Sequence, residues 1–316
     1  MNFVFLMDPL EMVKPEKDTS LAFMIGAHRR GHKVFYLPDG GISLKNNKVH
    51  FRLTPVIPHV DNHSPFHIRE CVELSQDDVH AVFVRSDPPF DQQYLMNTWL
   101  LDRLPKRIPV INNPAGLRTV NEKIWAAQFH RIVPKTVISR HKNHLIQFLN
   151  QEKTIVVKPA NGFGGSSVFV IRKGNLNTNV ILETVSRNET EEVIAQTYVA
   201  DAKKGDKRIL LLNGEPLGAV LRVHAKDDHR NNFFAGGKPH AATITANDRK
   251  IIKTLKPHLK TLGLYFVGID IIGKYLMEVN VTSPTCLQEM NRLNNVRLED
   301  NVIDFVEKLV KNKGIV

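Results

Sequence analysis

The sequence predicts an α/β layer followed by an α+β portion, and three observations carry that expectation. A strand, a helix and a second strand follow one another between Asn2 and Leu37. Beyond Leu117 the apolar runs arrive in pairs joined by short turns. The 316 residues are 42% hydrophobic and 24% charged, the balance of a globular chain able to bury a full core.

The elements read in order. Phe3, Val4, Phe5 and Leu6 form an apolar run. Asp18, Thr19 and Ser20 offer N-caps to a helix with Leu21, Met24 and Ile25 on its buried side, and Gly31 stops it. Lys33 to Leu37 completes a βαβ unit; Ala81 to Val84 and Pro109 to Ile111 read as further strands of one parallel sheet. Asn46 to Cys71 is polar and carries Pro55, Pro58 and Pro65, so it reads as a surface loop. Its His59, His63 and His67 have helical spacing, but the prolines break the helix that would align them as metal ligands. Asn121 to Phe129 reads as helix. Three hairpins follow: Thr154 to Lys158 with Val168 to Arg172, Arg208 to Leu212 with Ala219 to Val223 around Asn213-Gly214, and Tyr265 to Ile272 with Lys274 to Val281. Helices at Ala246 to Leu262 and Leu298 to Lys311 complete the pattern.

Net charge is +11, which favours anionic partners without choosing among them. No block of five or six Lys/Arg forms a basic arm, and no aromatics interleave the basic residues, so a nucleic-acid module is not expected. No apolar run approaches the roughly 18 residues of a membrane span. Cys71 and Cys286 make no disulfide framework, so a reducing, cytoplasmic compartment is the expectation.

Two constellations carry chemistry. Asn161-Gly162-Phe163-Gly164-Gly165-Ser166-Ser167 lies between paired strands, where glycines let backbone N–H groups approach an anion. It is neither a Walker loop nor a dinucleotide fingerprint, since no helix follows it. Lys158 ends the strand before it and would set an ammonium beside that anion; Lys123 alone reads as a surface lysine. The second set is Asp270 with Glu278 and Asn280. Glu278 and Asn280 share a strand face. A three-residue turn from Gly273 to Tyr275 would put Asp270 opposite Glu278; a two-residue turn would put it on the wrong face. Two carboxylates and an amide oxygen among Val, Ile, Leu and Met suit magnesium held jointly with phosphates. Arg208 and Arg222 come from one hairpin and suit carboxylate or phosphate. Asn231 to Gly237 reads as a lid, and Arg85 stands at the carboxyl end of a parallel strand, where open sheets bind ligands. Neither G-x-S-x-G nor H-E-x-x-H occurs, so no side-chain nucleophile is expected.

The strings RSDPPFD (85–91), NEK (121–123), KP with GFGGSS (158–167), GDKRILLLNGEP (205–216), FVGIDIIG (266–273) and EVNVTSPTC (278–286) run in this order along the chain. Together they resemble the ATP-grasp ligases, and among them the bacterial glutathione synthetase family. The resemblance implies an ATP-grasp fold: a Rossmann-like pre-ATP-grasp subdomain (1–120), a central lobe (121–200) and a C-terminal lobe (201–316) enclosing ATP. It further implies that Lys123, Lys158, Gly162, Gly164 and Gly165 hold the phosphates. Gln196, Tyr198 and Val199 would form the adenine hinge, with Asp206 near the ribose. Asp270, Glu278 and Asn280 would hold magnesium, or manganese in its place. Lys158 and Arg208 would be catalytic, and Arg85, Arg208, Arg222 and Ser283 would contact substrate. The implied reaction is ATP-dependent ligation of γ-glutamylcysteine and glycine through an acyl phosphate, in a homotetramer or dimer. The lid departs from the family pattern in its bulky Asn231-Asn232-Phe233-Phe234 run.

Overall fold

The computed structural model describes residues 1–60, 64–162, 167–223 and 237–312. At the N-terminus β1 (Asn2–Leu6), α1 (Thr19–Arg29) and β2 (Lys33–Leu37) form the expected βαβ unit, with β1 and β2 parallel. Asp18 caps α1, its Oδ1 accepting from the Leu21 amide at 2.7 Å. Between β2 and β7 (Ala81–Val84) come β3 (Ile42–Lys45), β4 (Lys48–Pro58), β5 (Phe66–Ile68) and β6 (Val72–Ser75). The layer closes with α2 (Gln92–Leu101), β8 (Val110–Ile111) and α3 (Pro114–Thr119). The sheet runs β3-β4-β2-β1-β7-β8, with β5 and β6 also pairing β4.

The stretch expected as a loop is therefore largely strand. Val49, Phe51 and Leu53 alternate inward along β4 and are buried, and that apolar alternation outweighs the prolines. Pro55 pairs opposite Phe35, and its carbonyl accepts from the Arg69 amide at 3.1 Å. The rings of His59 and His67 stand 4.5 Å apart; His63 lies outside the described residues.

The central lobe contains β9 (Thr136–Ser139), α4 (Lys142–Glu152), β10 (Thr154–Pro159), β11 (Phe169–Arg172), α5 (Thr178–Val185) and β12 (Val193–Thr197). Its antiparallel sheet runs β11-β10-β12-β9. Ile155, Val157, Val193 and Ala195 pack with Leu145, Phe148, Leu149, Leu182 and Val185 of the helices, each large side chain contributing about 1.5–3 kcal/mol. Strand alternation then turns Lys158, Gln196 and Thr136 to the opposite face. Asn121 to Phe129 is not an α-helix: it holds a single 3₁₀ turn at Trp125–Gln128. The Asn121 side chain accepts from the amides of Lys123 and Ile124 at 3.2 and 3.0 Å, bonds that hold the chain in a local turn.

The C-terminal lobe contains β13 (Asp206–Leu212), β14 (Glu215–Val223), β15 (Lys238–Ala241), α6 (Ala246–Thr261), β16 (Phe266–Ile272), β17 (Tyr275–Asn280), α7 (Leu287–Asn294) and α8 (Leu298–Asn312). Its sheet runs β15-β14-β13-β16-β17. Ile209, Leu211, Val267, Ile269 and Val279 belong to the core that includes Ile251, Leu255 and Leu259 of α6. On the other face, Leu210, Val220 and Phe266 join the core of α1, α7 and α8. That second face is apolar at one end only; its other end carries the site. No helix among the described residues is long and apolar enough to cross a membrane.

Candidate active site

Cross-strand register assembles one polar face. Asp206 stands opposite Arg222, Arg208 opposite Asp270, Asp270 opposite Glu278, and Gly268 opposite Asn280. The turn between β16 and β17 has two residues, with Ile272 paired to Tyr275. A two-residue turn alone would misplace Asp270. An irregularity between Asp270 and Ile271 leaves Met277 as an extra residue on β17 and restores the pairing of Asp270 with Glu278. The side chains expected together are thus together, by a bulge and not by a longer turn. Gly268 permits the close approach of the following loop: a Cβ there would sit 2.9 Å from Cβ of Pro284.

Ion pairs order this face. Arg208 grips Asp270 with Nε and Nη2 at 2.7 and 2.7 Å. Arg222 grips Asp206 in the same way, at 2.7 and 2.7 Å, and reaches Asp270 at 3.0 Å. Burial disfavours the charge on Asp270, but the two guanidiniums outweigh it and hold the carboxyl below the usual carboxylate range. Burial likewise opposes the charges of Arg208 and Arg222, and their carboxylate partners, Asp270 foremost, raise both above the ordinary arginine value. Asn280 donates to the Gly268 carbonyl at 3.3 Å and to Asp270 at 3.4 Å.

The central lobe supplies the opposing charge. Lys158, buried at the end of β10, donates to Glu278 Oε1 at 3.2 Å. Burial raises the Glu278 carboxyl, and Lys158 and then Lys123 more than offset this to lower it. Lys123 Nζ donates to the Gly162 carbonyl at the entrance of the glycine loop; Gly164 and Gly165 lie outside the described residues, as does the Asn231 to Gly236 part of the expected lid. Gln196 on β12 donates from Nε2 to Thr136 Oγ1 at 3.1 Å, while its buried Oε1 has no hydrogen-bond partner. Tyr198 and Val199 follow β12, and the Tyr198 amide donates to Thr154 at 3.1 Å.

The N-terminal layer meets the same loop. Arg85 is buried, donating from Nε to Ser20 Oγ and from Nη2 to the Pro284 carbonyl, both at 3.0 Å. These bonds direct two arms of its guanidinium into the protein. Ser283 Oγ donates to Asp87. Of the residues expected at the site, Lys158, Glu278, Asp270, Asn280, Arg208, Arg222 and Asp206 form one contact network. Lys123 and Gly162 form a second pair beside it, and Arg85 and Ser283 support the loop behind Gly268. Glu122 and Asn112 also serve the site, with no role legible in the sequence. Asn112 is buried and donates to the carbonyls of Phe266 and Val281, each at 2.7 Å. Glu122 stood inside a flagged string, but its partners at Val281 and Thr282 are 159 and 160 residues away, beyond any local signal.

Asp270, Glu278 and Asn280 offer only oxygen donors, in the company of lysines and arginines. Such a set fits a hard dication shared with phosphate, the ion sharing Asp270 with Arg208 and Arg222. Among the described residues no group of three or more His, Cys, Asp or Glu stands ready for a metal, so any ion held here depends on the amide and on the ligand.

Two antiparallel sheets joined through the Lys158–Glu278 ion pair give the chain an ATP-grasp fold, and solved structures share it. D-cycloserine synthetase DcsG superposes with a TM-score of 0.68 at 14% identity, covering 98% of this chain and 100% of that one. D-alanine–D-alanine ligase from Bacillus anthracis complexed with ATP gives 0.60 at 15%, covering 99% and 100%. The sequence matches the prokaryotic glutathione synthetase N-terminal domain over residues 1–118 and that family's ATP-grasp domain over 122–295. A glutathione synthetase of Synechocystis sp. is 40% identical over 98% of this chain and 99% of its own; one of Pseudomonas aeruginosa is 37% identical over 95% and 96%. The chain belongs to the prokaryotic glutathione synthetase family.

Proposed function

We propose that this ATP-dependent ligase joins γ-glutamylcysteine to glycine, and that the residues above divide the work as follows. The cysteinyl carboxylate of the dipeptide attacks the γ-phosphorus of ATP, releasing ADP and forming an acyl phosphate. The amine of glycine then attacks the acyl carbon; phosphate leaves, and the amine proton passes to solvent. No side-chain nucleophile is required, which accords with a site built of lysine, arginine and carboxylate. Lys123 and Lys158, with Gly162, Gly164 and Gly165, hold the phosphates. Gln196, Tyr198 and Val199 flank the adenine, and Asp206, which pairs with Arg222, lies near the ribose. Arg208 and Arg222 neutralise charge on the transferring phosphoryl group and the substrate carboxylate. Arg85, which holds the Pro284 carbonyl, and Ser283, which donates to Asp87, line the peptide site. Magnesium, or manganese in its place, bound by Asp270, Glu278 and Asn280, would neutralise the triphosphate.

The single observation that carries this reading is the Lys158 to Glu278 ion pair at 3.2 Å. It brings the strand entering the glycine loop against the strand of the oxygen donors. The division into 1–120, 121–200 and 201–316 belongs to the same proposal. So do a cytoplasmic location, suited to the free thiols Cys71 and Cys286, and assembly as a homotetramer or dimer. Mass spectrometry of products from ATP, magnesium, γ-glutamylcysteine and glycine tests the reaction. Glutathione with stoichiometric ADP and phosphate is expected; ligation of D-alanine but not of this pair rejects it.

A further inference from the structure

Glu122 lies between two residues that face the glycine loop, yet its own oxygens serve the other lobe. Its Oε1 accepts from the Val281 amide at 2.8 Å, the Thr282 amide at 3.2 Å and Thr282 Oγ1 at 3.0 Å. Its main-chain oxygen accepts from the Val279 amide at 2.9 Å. Val279 and Val281 flank Asn280, and Glu278 precedes them, so Glu122 grips the strand that presents both oxygen donors. β17 is the terminal strand of its sheet and is already paired along its inner edge with β16. Glu122 and the Ile132 carbonyl, which accepts from the Leu276 amide at 2.8 Å, together pair amides on the outer edge. Asn112 takes Val281 on its carbonyl side at 2.7 Å. In the opposite direction, Asn121 donates to Asn161 Oδ1 at 3.3 Å and Lys123 to the Gly162 carbonyl. The three residues 121–123 are thus bonded to both halves of the cleft, the outer two to the glycine-loop entrance and the middle one to the strand of Glu278 and Asn280.

We infer that Glu122 is a positioning residue that sets the distance between the phosphate cradle and the cation-binding oxygens, and so the affinity for a metal-bound nucleotide. One side-chain oxygen accepting three donors ties the residues that follow β17 to residues 121–123. Groups that hold metal ligands in place typically change metal affinity or activity by about 10–100-fold when removed. The inference rests on the proposed reading of Asp270, Glu278 and Asn280 as metal-binding.

Calorimetric binding of a non-hydrolysable ATP analogue to the full chain, with magnesium and with a chelator, tests it. Glu122→Ala is expected to weaken binding in magnesium by about tenfold, with binding in chelator little changed. Glu122→Gln keeps an acceptor oxygen and is expected to restore most of the loss. Kinetically, the KM for magnesium–ATP should rise more than the KM for the dipeptide. Glu122→Ala that binds as the wild type does in magnesium, or that weakens binding equally in chelator, overturns the inference, as does Glu122→Gln no better than Ala. Should Glu122→Ala fold poorly, Thr282→Val removes one donor and leaves the strand; a magnesium-dependent weakening supports the inference and no change overturns it. A wild type whose binding ignores magnesium defeats the metal reading itself, and the inference with it. A magnesium-dependent wild type matched by Glu122→Ala defeats the inference alone.

Discussion

Buried arginines in two regions meet their environment differently. In the C-terminal lobe, Arg208 and Arg222 stand on carboxylates, and their charge is held more firmly than in water. In the N-terminal layer, Arg85 is as deeply buried, but its hydrogen bonds go to a hydroxyl and a carbonyl, and its carbon stands 5.7 Å from the ring centres of both Phe23 and Phe266. Burial lowers its pKa, against the pull of the more distant Asp18 and Asp87. A guanidinium paired with carboxylate is fixed by charge; one paired with neutral oxygens is fixed by shape and retains unneutralised charge. The first kind suits a site that must hold phosphoryl oxygens in one geometry. The second suits a buttress that positions the Ser283–Pro284 loop.

Asp270→Asn strains this contrast most. It leaves buried Arg208 without a carboxylate partner and Arg222 with Asp206 alone, and about 3–5 kcal/mol of stability should go with it. Turnover should fall about 100-fold. Denaturant unfolding and steady-state kinetics measure both. Arg85→Lys should cost less, about 1–3 kcal/mol, because an ammonium cannot reach Ser20 and Pro284 with the same fork but leaves only neutral partners unpaired. Its effect should fall on the KM for dipeptide more than on that for ATP. A loss equal to that of Asp270→Asn would mean the two kinds of site do not differ. The smallest effect is expected at the surface, where Arg30 donates to Glu307 at 2.8 and 3.0 Å and His32 stands 2.7 Å away. Arg30 first, then His32, hold the Glu307 carboxyl down to about 2, from 4.5, although burial keeps His32 itself below its usual value. The folded-state pKa is depressed, so this stabilisation is present above about 4.5 and is lost as pH falls towards about 2. Glu307→Gln should flatten the pH profile of unfolding free energy in that window and lower stability by about 1 kcal/mol or less at neutral pH.

The legible parts of the site share a physical basis. Lys158, Glu278 and Asp270 were visible because a charge inside a run of Val, Ile and Leu is costly unless something answers it. The hairpin of β13 and β14 was visible because Asn213-Gly214 encodes its turn locally. Arg85 was visible from its position at a strand end, but which of its atoms face the protein was not. β4 is masked in the sequence because its prolines, a local signal, oppose the alternation of Val49, Phe51 and Leu53. The single 3₁₀ turn after Asn121 is masked because the side chain of Asn121 competes with the helix for its own backbone.

The sequence by itself determined the family, the chemical types at the cleft and most strands, because these depend on local composition and spacing. Tertiary structure decided the rest. A bulge at Met277, and not the turn length, sets Asp270 against Glu278. Glu122 takes its partners from a loop some 160 residues away. Hydrogen bonds between distant segments leave no period in the chain, so only the folded geometry discloses which oxygen meets which amide.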